Sequence, residues 1–137
     1  MLSIEGRAIR REYQGLGLGA LSVRKLIQEE DFDAAASVTR NPAVLRLMRK
    51  HFYTVSPDLS DPDPLYYMDN LVIGHVVDVY GKHVGADPQD LPFVHGRYTG
   101  GLYGYADPGR GMEALPQIAD NPESGIIMVA MNEARLP

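Results

Sequence analysis

The first part of the chain places a glycine-spaced loop between a predicted strand and a predicted helix, and this order constrains the fold most. Residues 2–10 (LSIEGRAIR) alternate loosely between apolar and polar side chains, which is typical of a strand. The loop QGLGLG occupies residues 14–19, and apolar side chains recur at helical spacing over residues 17–30. A second apolar run, residues 34–38, is interpreted as another strand. Two strands joined through a helix pair in parallel, so we predict an α/β fold.

Start signals in the sequence indicate two further helices. Asn41 and Pro42 form the expected pair of an N-cap and a first helical residue. The buried side of that helix is predicted to consist of Val44, Leu45, Met48 and Phe52. A second, long helix is predicted to begin with Asp63 as its N-cap and to run to about Val84, with Gly85 ending it.

The long helix carries an apolar stripe and an internal glycine. Its apolar side chains at helical spacing are Leu65, Met68, Val72, Val76 and Val79. We expect this stripe to lie in the core, with a subunit contact as the alternative. Gly74 costs a helix about 1 kcal/mol relative to Ala, which predicts a packing reason for it. After residue 86 glycine and proline are frequent, and strands are predicted only over residues 93–98 and 126–131.

Composition restricts the class of protein. The chain has 137 residues, of which 45% are hydrophobic and 23% charged, the balance of one globular domain. It has no cysteine, which excludes disulfides, thiol catalysis and Cys-ligated zinc. The net charge is -5, so nucleic acid is not expected as a partner. Because the sequence contains neither a bilayer-spanning apolar run nor a signal-peptide pattern, we expect a cytoplasmic protein without a membrane partner.

The glycine loop has a direct chemical use if a helix follows it. Glycines let the backbone approach a ligand closely, and the unpaired N–H groups of a first helical turn attract an anion such as a phosphate. The spacing does not fit the nucleoside triphosphate loop, because no Lys-Ser/Thr pair follows. A dinucleotide fingerprint would have Ala20 at its third glycine position. A plain connecting turn is the remaining alternative.

The wider segment AIRREYQGLGLGALSVRKLI resembles the acyl-CoA-binding signature of the GNAT superfamily of N-acyltransferases, Q/R-x-x-G-x-G/A. Gln14, Gly17 and Gly19 occupy its fixed positions, and the likeness covers about residues 3–55. The resemblance implies a partial GNAT-like mixed sheet flanked by helices, with an irregular Gly/Pro-rich C-terminal extension. We accordingly divide the chain into residues 1–57, the acyl-CoA-binding half, and residues 58–137, an extension packed on it as one structural unit.

The resemblance also implies a cofactor, acetyl-CoA, and a set of residues that hold it. The backbone of the strand before the loop would bind the pantetheine arm, at Ala8, Ile9 and Arg10. The loop amides would bind the pyrophosphate, at Gly15, Leu16, Gly17, Leu18, Gly19 and Ala20, with Gln14 opening the motif. Asn41 corresponds to a residue that often contacts the cofactor, and a simple helix N-cap is its alternative role. The reaction implied is attack of an amine, on a small molecule or a protein, on the acetyl thioester.

The sequence departs from the family pattern at the positions that would transfer protons. Met48 stands where the family commonly has a Tyr that protonates the leaving thiolate. Tyr53 is interpreted as a core or rim residue and not as a substitute for it. Ser3 stands where a general base is common, and Glu5 would share its face of the strand. The catalytic residues are therefore left unassigned.

The resemblance covers only the later part of the family's fold. Three strands and two helices precede the corresponding strand in family members, whereas here that strand begins at about residue 3. We expect either a truncated acyltransferase or a sheet completed by a second chain, through a homodimer or a separate partner, because the edge is otherwise open. A non-catalytic acyl-CoA-binding or interaction module is the alternative to an enzyme.

Other polar residues are interpreted mainly as structural. The four histidines, His51, His75, His83 and His95, lack ligand spacing and predict no metal site. Asp61 and Asp63 lack the glycine and distal glutamate of a calcium loop, so capping is the better interpretation. Three cations could face the 3′-phosphate of coenzyme A, although a solvated helix face is the commoner outcome; these are Arg46, Arg49 and Lys50.

Overall fold

The computed structural model describes residues 2–3, 34–52, 54–98 and 111–131. Within these ranges the strands are β1 (Leu2–Ser3), β2 (Ala34–Thr39), β3 (Thr54–Ser56), β4 (Phe93–Val94) and β5 (Gly125–Met131). The helices are α1 (Pro42–Arg49), α2 (Leu71–His83) and the short α3 (Pro116–Ala119), with a 3₁₀ turn at Tyr66–Asp69. The fold is therefore mixed α/β, as predicted. No helix in these ranges has the length and apolar character needed to cross a membrane.

The strands form one mixed sheet in the order β1-β2-β5-β3, with β4 also paired to β5. β1 and β2 are parallel, with Leu2 opposite Ala35 and Ser3 opposite Ala36. All other pairings are antiparallel. Because β5 lies between β2 and β3, the segments 1–57 and 58–137 contribute strands to the same sheet.

β5 is the central strand of this sheet. It pairs with β2 from Ile126 to Met131 on one side, and with β3 and β4 on the other. All seven of its residues, GIIMVAM, are buried. A strand covered on both faces has no polar alternation, which is why this segment is a continuous apolar run. The predicted strand over residues 126–131 is thus confirmed.

The two faces of the sheet are covered by different helices. On one face α1 packs with Leu45 and Met48 against Ala35, Met128 and Ala130. On the other face α2 packs against Ile127 and Val129 through its buried side chains, which are Ile73, Val77 and Tyr80. Alternate residues of β5 therefore serve two separate apolar clusters, as the period of a strand requires.

The start of α1 follows the prediction from sequence. Asn41 is extended at the N-cap, its Oδ1 accepts a hydrogen bond from the N–H of Ala43, and Pro42 begins the helix. Leu45, Met48 and Phe52 are buried as predicted, and Val44 is half-buried. β2 extends one residue beyond its predicted end, to Thr39.

The predicted start of the long helix is wrong. α2 begins at Leu71, and its N-cap is Asn70, whose Oδ1 accepts from the N–H groups of Val72 and Ile73. Asp63 instead accepts from the N–H of Leu65 and closes a separate turn. The helical spacing of apolar residues continues through the intervening 3₁₀ turn, so the sequence pattern does not reveal the break. The predicted end is confirmed, since Gly85 follows the helix with φ of 74°.

Removal of the Asn70 cap tests this correction. We expect Asn70→Ala to lower the free energy of unfolding by about 1 kcal/mol, because two N–H groups of α2 lose their acceptor. Asp63→Ala should cost clearly less, since that carboxylate caps no helix. Urea denaturation of both variants measures the difference, and an equal or larger loss for Asp63→Ala would contradict the assignment.

The predicted apolar stripe of the long helix is only partly in the core. Val72 and Val79 are 60% and 41% exposed. Leu65, Met68 and Val76 are half-buried. The buried side of α2 is displaced by one residue from the predicted one, because Ile73, Val77 and Tyr80 pack against the sheet. Gly74 has the packing reason that was expected, since a Cβ there would lie 2.9 Å from the backbone oxygen of Met68.

The predicted strand over residues 93–98 is shorter in the structure. Only Phe93 and Val94 pair with β5. Gly96 has φ of 71°, a left-handed conformation that turns the chain away from the sheet. The segment ends with Tyr98, whose hydroxyl donates to the carbonyl oxygen of Val38 at 3.1 Å. Residues 95–98 therefore cross from β4 toward the end of β2.

Candidate functional site

The carboxyl ends of β1 and β2 lie at the same edge of the sheet, because these two strands are parallel neighbours. Residues 4–33, which contain the glycine motif, connect the end of β1 to the start of β2. Ligands of open α/β sheets bind outside the carboxyl ends of adjacent strands. This edge is therefore the candidate functional site.

Most of the predicted cofactor ligands lie outside the described residues, and their assignments stay predictions. They are Ala8, Ile9, Arg10, Gln14, Gly15, Leu16, Gly17, Leu18, Gly19 and Ala20. The same holds for Glu5 and Tyr53. Of the predicted set only Asn41 is described.

Asn41 stands two residues beyond the end of β2 and is half-buried. Its backbone N–H donates to the hydroxyl oxygen of Thr39 at 3.1 Å. Its Oδ1 is occupied by the N–H of Ala43 at 2.9 Å, so the N-cap role is present. Among the described residues its Nδ2 amino group has no hydrogen-bond acceptor, so this group can still donate to a ligand. The two roles predicted for Asn41 are thus compatible.

Arg40 is fully buried at the end of β2. Its Nη1 donates to the carbonyl oxygens of Asn121 and Ser124, each at 2.7 Å. These charge-assisted bonds tie the loop before β5 to the end of β2. The sequence analysis did not identify this residue, because its acceptors are backbone atoms more than 80 positions away. An Arg beside a buried strand end was the only available signal.

Tyr98 lies at the same end of the sheet, next to Gly125 at the start of β5. Its hydroxyl lies at the end of β2, and a Cβ on Gly125 would approach the tyrosine ring to 3.0 Å. The same Cβ would lie 2.6 Å from the side chain of Val38. Gly125 is therefore needed for the close passage of Tyr98 over the sheet. The arrangement places a phenolic hydroxyl at the candidate site, at the end of the segment that the sequence predicted as a strand over residues 93–98.

Met48 cannot act as a proton donor at the candidate site. It is 2% exposed and packs in the cluster with Ala35, Leu45 and Met128. A thioether carries no exchangeable proton. Tyr67 does not replace the missing tyrosine either, because it is buried and its hydroxyl donates to Ile127 at 2.8 Å. Burial raises the pKa of Tyr67 far above its usual value.

The cations of α1 and the turn after it are exposed, as the commoner interpretation predicts. Arg49 is already engaged: its Nη2 donates to the carbonyl oxygen of Pro57 at 3.0 Å and lies 3.4 Å from Asp58 Oδ1. The hydroxyl of Ser60, followed by its N–H and the Arg49 charge, holds the pKa of Asp58 below its usual value. Contact of Arg46 or Lys50 with a phosphate stays a prediction.

The remaining polar candidates have structural roles. Asp61 accepts from the N–H of Asp63 at 2.9 Å, as a turn-forming aspartate does. Nδ1 of His95 lies 2.7 Å from the hydroxyl of Ser124, which fixes the imidazole ring. In the part of the chain that the structure describes, no group of three or more acidic or histidine side chains could hold a metal ion.

A cleft of about 420 Å³ lies between the end of α2 and the turn after β4. Its polar lining consists of Asp87, Asp90, His95 and Arg97. β4 pairs with Gly125 and Ile126, and Ile126 also pairs with Thr39 at the end of β2. The β4 residues that line the cleft therefore lie at the same end of the sheet as Thr39, across β5 from β2.

Comparison of the chain with protein-family models, curated proteins and solved structures gave no match.

Proposed function

We propose that this chain binds acyl-CoA and acts in an N-acetyltransferase of GNAT type, transferring an acetyl group from acetyl-CoA to an amine. The observation that carries the proposal is the parallel pairing of β1 with β2 around a connection that contains QGLGLG. In that pairing β1 and β2 run in the same direction, so that the chain leaving β1 and Asn41, which follows β2, continue toward the same end of the sheet. An elongated ligand at the carboxyl ends of two parallel strands can reach a phosphate-binding loop that connects them.

Each part of the chain has a distinct task in this proposal. The amides of residues 15–20 bind the pyrophosphate, and the backbone of residues 8–10 orients the pantetheine arm. Asn41 Nδ2 adds one donor at the end of β2. The neutral amine nitrogen attacks the thioester carbonyl, the C–N bond forms and the C–S bond breaks. The proton that the nitrogen loses balances the one that the released thiolate takes up. A backbone N–H near Ile9 would stabilise the oxyanion, a contact typically worth about 10²–10³ in rate.

A non-catalytic acyl-CoA-binding module is the second candidate, and burial of Met48 is the observation that favours it. The thiolate would need a proton from another group, and the hydroxyl of Tyr98 is the described group placed at the right sheet edge. In the described sheet order β1 is terminal, and in this proposal its outer edge takes the further strand. A partner chain or a second copy that supplied this strand would complete the sheet.

Calorimetric titration with acetyl-CoA tests the shared part of both candidates. We expect the unmodified chain to bind, and Gly17→Glu to weaken binding by at least about tenfold, because a carboxylate and its side chain would occupy the phosphate position. Val72→Glu is the matched control, since Val72 is 60% exposed on α2, which covers the opposite face of the sheet from α1. Equal affinity of the unmodified chain and Gly17→Glu would refute cofactor binding at this loop.

Thiol release in the presence of amine acceptors then separates the two candidates. Cofactor binding with turnover supports the transferase, and Tyr98→Phe should then lower kcat more than it raises KM. Binding without turnover over a broad panel of amines supports the module.

A further inference from the structure

The side of α2 that faces away from the sheet has solvent-exposed apolar residues. Leu71 is 91% exposed, Val72 60% and Val79 41%. The opposite side of the helix is buried through Ile73, Val77 and Tyr80. We call the exposed row the outer stripe, defined by Leu71, Val72, His75 and Val79.

The outer stripe is continuous rather than scattered. Leu71, His75 and Val79 are four residues apart, so they form one ridge along the helix. Tyr66, which is 65% exposed, stands just before the start of this ridge. The exposed Asp78 and Lys82 flank the stripe on the same side of the helix, so the apolar residues have the charged surroundings of a small interface with a polar rim.

The ridge is symmetric about His75. At 1.5 Å of rise per residue, Leu71 and Val79 lie about 6 Å on either side of it along the axis. A surface with such internal symmetry can pair with a copy of itself across a twofold axis. Leu71 of each copy would then lie against Val79 of the other.

The charges at the two ends of α2 are complementary in the same arrangement. Asp69 precedes the helix, and its last turn contains Lys82 and His83. An antiparallel pair brings Lys82 of one copy alongside Asp69 of the other, and also opposes the two helix dipoles. A parallel pair would instead place like charges together, so the charges select the twofold arrangement.

We propose that the protein forms a homodimer through antiparallel pairing of α2 with α2 of a second copy, with His75 on the twofold axis. This inference is independent of acyl-CoA binding. α2 has 13 residues and is therefore about 20 Å long, so the interface is smaller than a standard one. We expect association in roughly the micromolar range.

Sedimentation equilibrium over a range of concentrations measures the association. Leu71→Asp should raise the dimer dissociation constant by at least about tenfold, because each copy would bury a carboxylate in the contact. Ala114→Asp is the matched control and should leave association unchanged, and circular dichroism checks that both variants fold. A monomer at every concentration, or equal effects of the two variants, would overturn the proposal.

A charge exchange tests the antiparallel register. Lys82→Glu and Asp69→Lys should each weaken association severalfold, whereas the double variant should restore it, because the opposite charges again face each other. Both positions are exposed in the single chain, so folding is not at risk. A double variant that associates no better than the single ones contradicts this register.

The absence of cysteine allows a direct test of the axis. His75→Cys places the two sulfur atoms of a dimer next to each other at the axis, so mild oxidation should give a covalent dimer in high yield. Ala114→Cys serves as the control for random collisions. Cross-linking of the two variants at equal yield would place His75 away from the axis and overturn the proposal.

Discussion

Val129→Asp should lower the free energy of unfolding by more than about 4 kcal/mol, enough to leave most of the chain without its native structure. Val129 is fully buried at the centre of β5, opposite Ala36 of β2 and Ser56 of β3. A carboxylate there would lose its hydration and gain no partner, because the surrounding cluster is formed by apolar and aromatic side chains. Domains of this size are stable by about 5–15 kcal/mol, so the loss removes a large part of the total.

Urea denaturation followed by far-UV circular dichroism measures the effect. Val129→Ala separates the lost packing from the buried charge and should cost only about 1–3 kcal/mol. Ala114→Asp adds the same charge at an exposed position and should be nearly neutral. A Val129→Asp variant with a midpoint close to that of Val129→Ala would show that the centre of β5 is accessible to water.

Arg40→Ala is expected to be the other severe substitution, with a loss of about 3–5 kcal/mol. The change leaves the carbonyl oxygens of Asn121 and Ser124 without the donor that now lies 2.7 Å from each. It also empties the volume of one of the largest fully buried side chains. The unsatisfied carbonyls and the cavity contribute separately, and removal of the buried charge offsets only part of their cost.

Arg40→Met separates these contributions because it retains most of the side-chain volume and removes the donors. We expect it to lose roughly half as much stability as Arg40→Ala, by denaturant titration of both variants. If Arg40→Ala costs less than about 1 kcal/mol, the guanidinium does not hold the loop before β5.

Local features were the ones that could be predicted from the sequence. The Asn41-Pro42 pair marks the start of α1 because the capping hydrogen bond spans only two residues. The apolar run of β5 marks a strand covered on both faces. Gly85 marks the end of α2 through its left-handed backbone. In each case the interaction that decides the structure lies within a few positions of the residue that signals it.

The features that the sequence could not supply depend on distant contacts. Asp63 and Asn70 are both good helix caps, and only tertiary packing of the 3₁₀ turn and α2 decides between them. The position of β5 between β2 and β3 follows from no local pattern. The burial of Arg40 depends on acceptors in the loop before β5, and the placement of Tyr98 depends on a glycine that it passes closely.

For the candidate site the sequence predicted acetyl-CoA as the ligand. Of the residues predicted to contact it, only Asn41 is among the described residues. Asn41 lies at the predicted edge with one donor group still available. The glycine segment that would provide the phosphate contacts lies outside the described residues, so its role is for the titration with Gly17→Glu to decide. The role of Tyr98 was not predicted, because a single tyrosine at the end of a predicted strand carries no signal of what it approaches.

The central position of β5 has a consequence for biosynthesis. β2 and β3 leave the ribosome long before β5, yet neither has its main hydrogen-bonding neighbour until residues 125–131 have been made. Contacts between such distant segments form slowly, because a large loop must close first. During translation the nascent chain therefore exposes β3 and the β5-facing edge of β2, and chaperones that shield such edges would act on it at this stage.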